Sequence, residues 1–133
     1  MIYLFDTNAM SDLLATPPDA RLWATARRIQ GHTLGICRPV YYELLRGLFW
    51  RQATSKQSAL SHRILPLFVW LALTDNDWEQ AAHFWADARR KGYQLSDPDL
   101  LLAALAFRVG AIIVSADTDF DILPVKRADW RVS

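Results

Sequence analysis

Three features of this 133-residue sequence predict an α/β fold with a mostly parallel central sheet. IYLF at 2–5 and AIIV at 111–114 are apolar at every position, as strands buried on both faces are. Longer stretches between them carry helix start and stop residues. Strands alternating with helices cross over and pair in parallel. The length suits one domain, and a 52% hydrophobic composition supplies a core and excludes wholesale disorder. No repeat, low-complexity tract or Gly/Ser linker interrupts the chain, so residues 1–133 read as a single domain.

The elements follow in order. After the strand at 2–5, a short helix around Ala9–Leu14 is stopped by Pro17 and Pro18. Ala20–Gln30 is a helix ended by Gly31, with Leu22, Ala26 and Ile29 expected on its inner face. Leu34–Ile36 is a short strand. Pro39 then opens a helix from about Val40 to Trp50. A further helix spans about Ser55–Leu65, where Pro66 disturbs the pattern, and Val69–Leu73 is either a strand or that helix's tail. TDNDWE at 74–79 is a dense capping signal for a helix running to Lys91, before Gly92. The segment 95–110, LSDPDLLLAALAFRVG, is the clearest helix, with Asp97 as its cap, Pro98 at its first position and Gly110 at its end. The strand AIIV follows, and Trp130–Val132 adds an edge strand.

Bulk properties narrow the function classes. Cys37 is the only cysteine, which excludes an internal disulfide framework and fits a reducing compartment. No amino-terminal basic-then-apolar pattern marks a secretion signal. The longest apolar run, ILPLFVWLAL at 64–73, is half the roughly 20 residues of a spanning helix. A soluble, cytoplasmic protein is expected. The net charge of +1 conceals a division. Residues 1–19 carry Asp6, Asp12 and Asp19 without a base, whereas residues 20–65 carry eight bases against Glu43 alone. Residues 66–133 return to an acidic excess. A basic middle beside acidic ends suits a polyanion held near a metal-binding pocket, although on charge alone solvated helix faces are the favoured account.

Two strands finish abruptly in acid: YLFDTN at 3–8 and IIVSADTDF at 112–120. In a parallel sheet the carboxyl ends of the strands share one edge, where ligands bind. Asp6 and Asp117 therefore converge if their strands are parallel. Asp99, in the first turn of the apolar helix, faces whatever precedes that helix and is favoured there by its dipole. Glu43 sits among Tyr41, Tyr42, Leu44 and Leu45, with a surface pair to Arg46 as its alternative role. Asp119 and Asp121 are site acids or loop residues. Clustered carboxylates repel one another, so raised pKa values are expected. Oxygen ligands without organised His or Cys call for Mg²⁺ or Mn²⁺. His32, His62 and His83 lack metal-ligand spacing and are left out.

DTN after an amino-terminal strand, YELLRG in a helix, DLLLAALA and IIVSADTDF, in this order along nearly the whole chain, resemble the PIN-domain ribonucleases. Within them the likeness is greatest to the VapC-type toxins of bacterial and archaeal toxin–antitoxin pairs. The resemblance implies a PIN-like three-layer α/β/α fold and metal-dependent hydrolysis of RNA, leaving 5′-phosphate and 3′-hydroxyl ends. It places the family's four acids on Asp6, Glu43, Asp99 and Asp117, with Asp119 as a further acid and Asn8 and Ser115 as supporting polar residues. It also implies a homodimer and a cognate antitoxin. Residues 50–75 match no motif of the family and are unusually aromatic.

On this reading Asp6, Asp99 and Asp117 hold one metal, and Asp117 or Asp119 reaches a second about 4 Å away. Glu43 binds metal or orients the attacking water. Asn8 and Ser115 hydrogen-bond the carboxylates or a phosphate oxygen, and Arg38 and Arg46 grip flanking phosphates. Trp50, Trp70, Trp78 and Trp85 are candidates for a partner groove, with burial in the core as the alternative. Two rival readings fit part of the pattern. A haloacid-dehalogenase-like phosphatase needs an acid two residues after its nucleophile, where this chain has Asn8. A catalytically inactive RNA- or partner-binding module would not need all four acids.

Overall fold

The computed structural model describes residues 1–15 and 18–132. The chain alternates as the sequence predicts: β1 (Ile2–Phe5), α1 (Thr7–Leu13), α2 (Asp19–Ile29), β2 (Thr33–Ile36), α3 (Arg38–Trp50) and α4 (Thr54–Ala59). Then come β3 (Val69–Trp70), α5 (Asp75–Arg90), α6 (Asp97–Val109), β4 (Ile112–Val114) and β5 (Lys126–Ala128). The sheet order is β3-β2-β1-β4-β5 and every pairing is parallel. Helices cover the sheet in an α/β/α arrangement, so the central strands β1, β2 and β4 are almost wholly apolar. Gly35 in β2 fills no space because none is available: a Cβ there would stand 3.0 Å from Leu4 and 3.1 Å from Leu71.

The longest helices are delimited by local chemistry. Thr74 and Asp77 form a reciprocal capping box at the start of α5. α6 ends at Gly110, whose φ of 68° is the left-handed conformation glycine adopts freely. α4 passes into a π-helical turn, Leu60–Ile64, and a 3₁₀ turn, Leu65–Leu67. Pro66 has no amide hydrogen to continue an α-helix, and the altered winding keeps Leu60 and Ile64 buried. The ambiguous stretch after it resolves as strand, because Gly35 and Ile36 offer backbone partners to Val69 and Trp70.

Four sequence expectations are corrected. Leu22 and Ile29 of α2 lie outward, 63% and 80% exposed, and the buried residues are Ala20, Trp23 and Ala24. Trp23 turns inward because Tyr3 and Phe5 present ring edges to it, 5.4 and 6.1 Å between centroids. Ser96, not Asp97, caps α6, since Ser96 holds extended backbone angles and its hydroxyl accepts from the Asp99 amide. Asp97 and Pro98 are the first two helical residues. The edge strand is Lys126–Ala128 rather than Trp130–Val132, because strand β4 supplies backbone partners there and Trp130 folds into the core. Of the stops expected after α1, Pro17 lies outside the described residues, and Pro18 immediately precedes α2.

α5 and α6 are joined by an ion pair between buried Asp77 and the exposed Arg108. Arg108 donates from Nε to Asp77 Oδ1 at 2.8 Å and from Nη2 to Oδ2 at 3.0 Å. Its Nη2 also reaches the Ala72 carbonyl, and Asp77 Oδ2 accepts from the Thr74 amide. Burial alone would raise the Asp77 pKa, but the Arg108 fork and the Thr74 amide hold it below the usual carboxylate value. Asp77→Ala is expected to destabilise the protein by about 2–3 kcal/mol, since it strands a capped amide and an arginine at once. A urea titration checks this; a loss below about 0.5 kcal/mol would show that the pair holds nothing together.

Candidate active site

Parallel pairing puts the ends of β1 and β4 side by side. Phe5 is opposite Val114, and the Asp6 amide donates to the Val114 carbonyl at 3.1 Å. The next residues along the two strands are Asp6 and Ser115, both buried. Ser115 donates its hydroxyl to Asp6 Oδ2 at 2.5 Å. Ser115 Oγ in turn accepts from the Asp117 amide at 2.9 Å, and Asp117 Oδ1 accepts from the Asp119 amide at 2.9 Å. The hydroxyl ties one acid to the backbone of the next.

Asp6 is also the cap of α1, its Oδ1 accepting from the Ala9 amide at 2.8 Å. Each of its oxygens thus has one partner, and each keeps a lone pair free for a ligand. Glu43 approaches from the second turn of α3. Thr7 donates its hydroxyl to Glu43 Oε1, and Arg46 lies 3.5 Å from Oε2. The surface pair to Arg46 is real and does not remove Glu43 from the site. Asp99 enters from the first turn of α6, as the sequence suggests.

Electrostatics show that these four acids share one region. Burial raises the Asp99 pKa most, and the charge on Asp6, followed by those on Glu43 and Asp117, adds to it; the Ser96 hydroxyl opposes them, and the result is about 7. Asp6 is raised chiefly by burial, against hydrogen bonds from Ser115 and Ala9, with Asp117 and Glu43 pushing further upward. Among the described residues, no three His, Cys, Asp or Glu side chains already enclose an ion position. The donor set, carboxylate oxygen with hydroxyls behind it, fits a hard divalent cation.

The remaining predicted residues divide. Asn8 is exposed in the first turn of α1, and the groups holding Asp6 are the Ala9 amide and Ser115 hydroxyl instead. Asp119 joins through its amide, whereas Asp121 turns away to a bidentate pair with Arg127. Arg38 packs 3.8 Å over the Trp70 ring, and Arg46 lies 5.3 Å from the Tyr42 ring centroid. Trp50, Trp70, Trp78 and Trp85 all remain at the surface; Trp23 and Trp130 are the buried ones. Sequence reasoning missed Thr7, whose signal was its place beside Asp6 at a helix start, and Arg127, which braces the Ser115 carbonyl at 3.1 Å.

Two consequences are measurable. Ser115→Ala deprives a buried carboxylate and the Asp117 amide of their shared partner, and should cost about 1–3 kcal/mol in chemical denaturation. The second concerns pH. A carboxyl whose folded pKa exceeds its unfolded 3.8 binds a proton more tightly when folded, so its contribution to stability falls as pH rises from about 4 to about 7. Asp6 acts in the same direction. Without divalent metal the melting temperature should drop between pH 5.5 and 7.5, and Asp99→Asn should flatten the drop. A flat wild-type profile would refute the raised value.

Comparison with known proteins agrees with this geometry. Residues 3–126 match the family model of the PIN domain. Ribonuclease VapC11 of Mycobacterium tuberculosis is 35% identical over 91 residues, 68% of this chain and 66%, just under two thirds, of that protein. Among solved structures, a chain of VapBC2 from Rickettsia felis, crystallised bound to a DNA fragment from its promoter, superposes with a TM-score of 0.86 at 21% identity, covering 98% of this chain and 99% of that one. A toxin–antitoxin complex from Klebsiella pneumoniae contains a chain with a TM-score of 0.62 at 24% identity, covering 92% of each. With residues 3–126 matching that family model the phosphatase alternative falls: the chain belongs to the PIN-domain family.

Proposed function

We propose that this protein is a metal-dependent endoribonuclease that hydrolyses RNA phosphodiesters as the toxin of a toxin–antitoxin pair. One observation carries the reading. Asp6 and Asp117, from opposite ends of the chain, are tied through a single buried Ser115 hydroxyl, with Glu43 and Asp99 close enough to perturb the same charges. The 35% identity to a protein named as a ribonuclease supports the substrate class.

Asp6, Asp99 and Asp117, with Asp119 beside them, would hold Mg²⁺ or Mn²⁺. When bound, the ion supplies a Lewis acid that acidifies water and offsets phosphate charge. Glu43, fixed by the Thr7 hydroxyl, orients the attacking water and accepts its proton. Attack at phosphorus breaks the bond to the 3′ oxygen, leaving 5′-phosphate and 3′-hydroxyl ends. Ser115 aims Asp6 and favours its ionised form against the effect of burial, while Arg38 and Arg46 hold flanking phosphates. The protein would act in the cytoplasm as a single-domain homodimer neutralised by a cognate antitoxin, in line with the toxin–antitoxin complexes whose chains share its fold. No helix among the described residues is long and apolar enough to cross a membrane.

Purified protein should cut cellular RNA into discrete fragments with Mg²⁺ or Mn²⁺ and not with EDTA, and should cut less as salt rises. Asp6→Asn and Asp99→Asn should each lower the rate on the order of 100-fold or more. Metal should also raise the wild-type melting temperature, more at pH 7.5 than at 5.5, and should not raise that of Asp6→Asn. Folded protein that neither binds metal nor cleaves RNA would reject the assignment.

A further inference from the structure

A cleft of about 450 Å³ adjoins the acids without belonging to them. Its walls come from α3, α5 and α6, and include Arg38, Tyr42, Arg46, Trp78, Asp97 and Pro98. Arg46 belongs to both places, lining the cleft while standing 3.5 Å from Glu43. Pro98 immediately precedes Asp99, as Tyr42 precedes Glu43. Through Arg46 the cleft is continuous with the Glu43 side of the acid cluster.

Its surface chemistry is unusual for a solvated face. Tyr42 and Trp78 leave 62% and 57% of their surface in water. Arg38 forms no ion pair among the described residues. Exposed rings beside arginines form the platform on which single-stranded nucleic acid stacks, with cations tracking the backbone. Rings and arginines also suit protein interfaces, but two arginines against one acid, with Arg38 in no ion pair among the described residues, favour a polyanion here. Asp97 is the one acid in the cleft, where it repels phosphate but accepts a hydrogen bond from a base amine.

We propose that the cleft takes an unpaired nucleobase of a single-stranded RNA, Tyr42 and Trp78 offering stacking faces while Arg38 and Arg46 hold the adjoining phosphates. The proposal rests on the ribonuclease reading and adds to it a base-contacting subsite outside the acid cluster. Base identity or strandedness at the nucleotide beside the cut is then sensed by α3 and α5, away from the acids.

The test is binding without cleavage: fluorescence anisotropy of a labelled single-stranded RNA oligonucleotide in EDTA, against the same chain with abasic positions. Tyr42→Ala and Trp78→Ala should each weaken binding of the intact oligonucleotide about 5- to 100-fold. Both should matter far less for the abasic one. Trp78→Phe, which keeps a ring, should retain most of the affinity and covers the case where Trp78→Ala does not fold. Unchanged affinity in folded variants, or equal loss on intact and abasic chains, would overturn the subsite. So would a Trp78→Ala protein whose sedimentation shifts while its RNA affinity does not, since a second copy of the chain then occupies the cleft. Base-dependent loss of binding, with no cleavage by wild type when metal is added, would support the subsite and refute the nuclease.

Discussion

The parallel register that sets Phe5 opposite Val114 is the constraint on which the rest depends. It leaves Asp6 and Ser115 as neighbours at the sheet edge, both buried, and so makes one short hydrogen bond obligatory. A slip of one residue would turn each side chain to the opposite face and destroy the arrangement. The ladder is protected accordingly, with β1 and β4 central and apolar, and Gly35 admitting β1's Leu4 at van der Waals limit.

Against that rigid frame stands an edge with too much negative charge. Asp99 near 7 and a raised Asp6 mean that the folded chain holds protons which the unfolded chain would release. Folding energy from elsewhere offsets this. The capping box of α5 and the Asp77–Arg108 fork lie away from the edge and are electrostatically satisfied. Strain of this kind concentrates where a ligand relieves it, as pKa perturbation at functional sites generally does.

Arginine in the basic middle of the chain follows a different logic. Arg27 and Arg38 lie over Trp23 and Trp70, so their guanidiniums are steered by rings, whereas Arg46 is shared between the Tyr42 ring and the Glu43 carboxylate. Such contacts hold a cation in place and leave its hydrogen-bond donors available. The same residues are therefore compatible with a stable surface and with phosphate recognition.

The order of strands and helices, most capping positions and the meeting of Asp6, Asp99 and Asp117 at one edge were legible in the sequence. These follow from local signals: continuous apolar runs, Pro and Gly at helix ends, and the rule that parallel strands share a carboxyl edge. Glu43 needed more, because a glutamate beside an arginine on a helix says nothing by itself, and its motif rather than its chemistry singled it out. Tertiary structure alone decided which face α2 buries, that Ser96 caps α6, and that β5 is the polar Lys126–Ala128. It also decided the two hydroxyls that organise the site. Ser115 reaches Asp6 across 109 residues and Thr7 reaches Glu43 across 36, and no periodicity or propensity encodes a partner at that separation. Sequence specifies the elements because their energies are local; the site's hydrogen bonds exist only once the sheet has fixed its register.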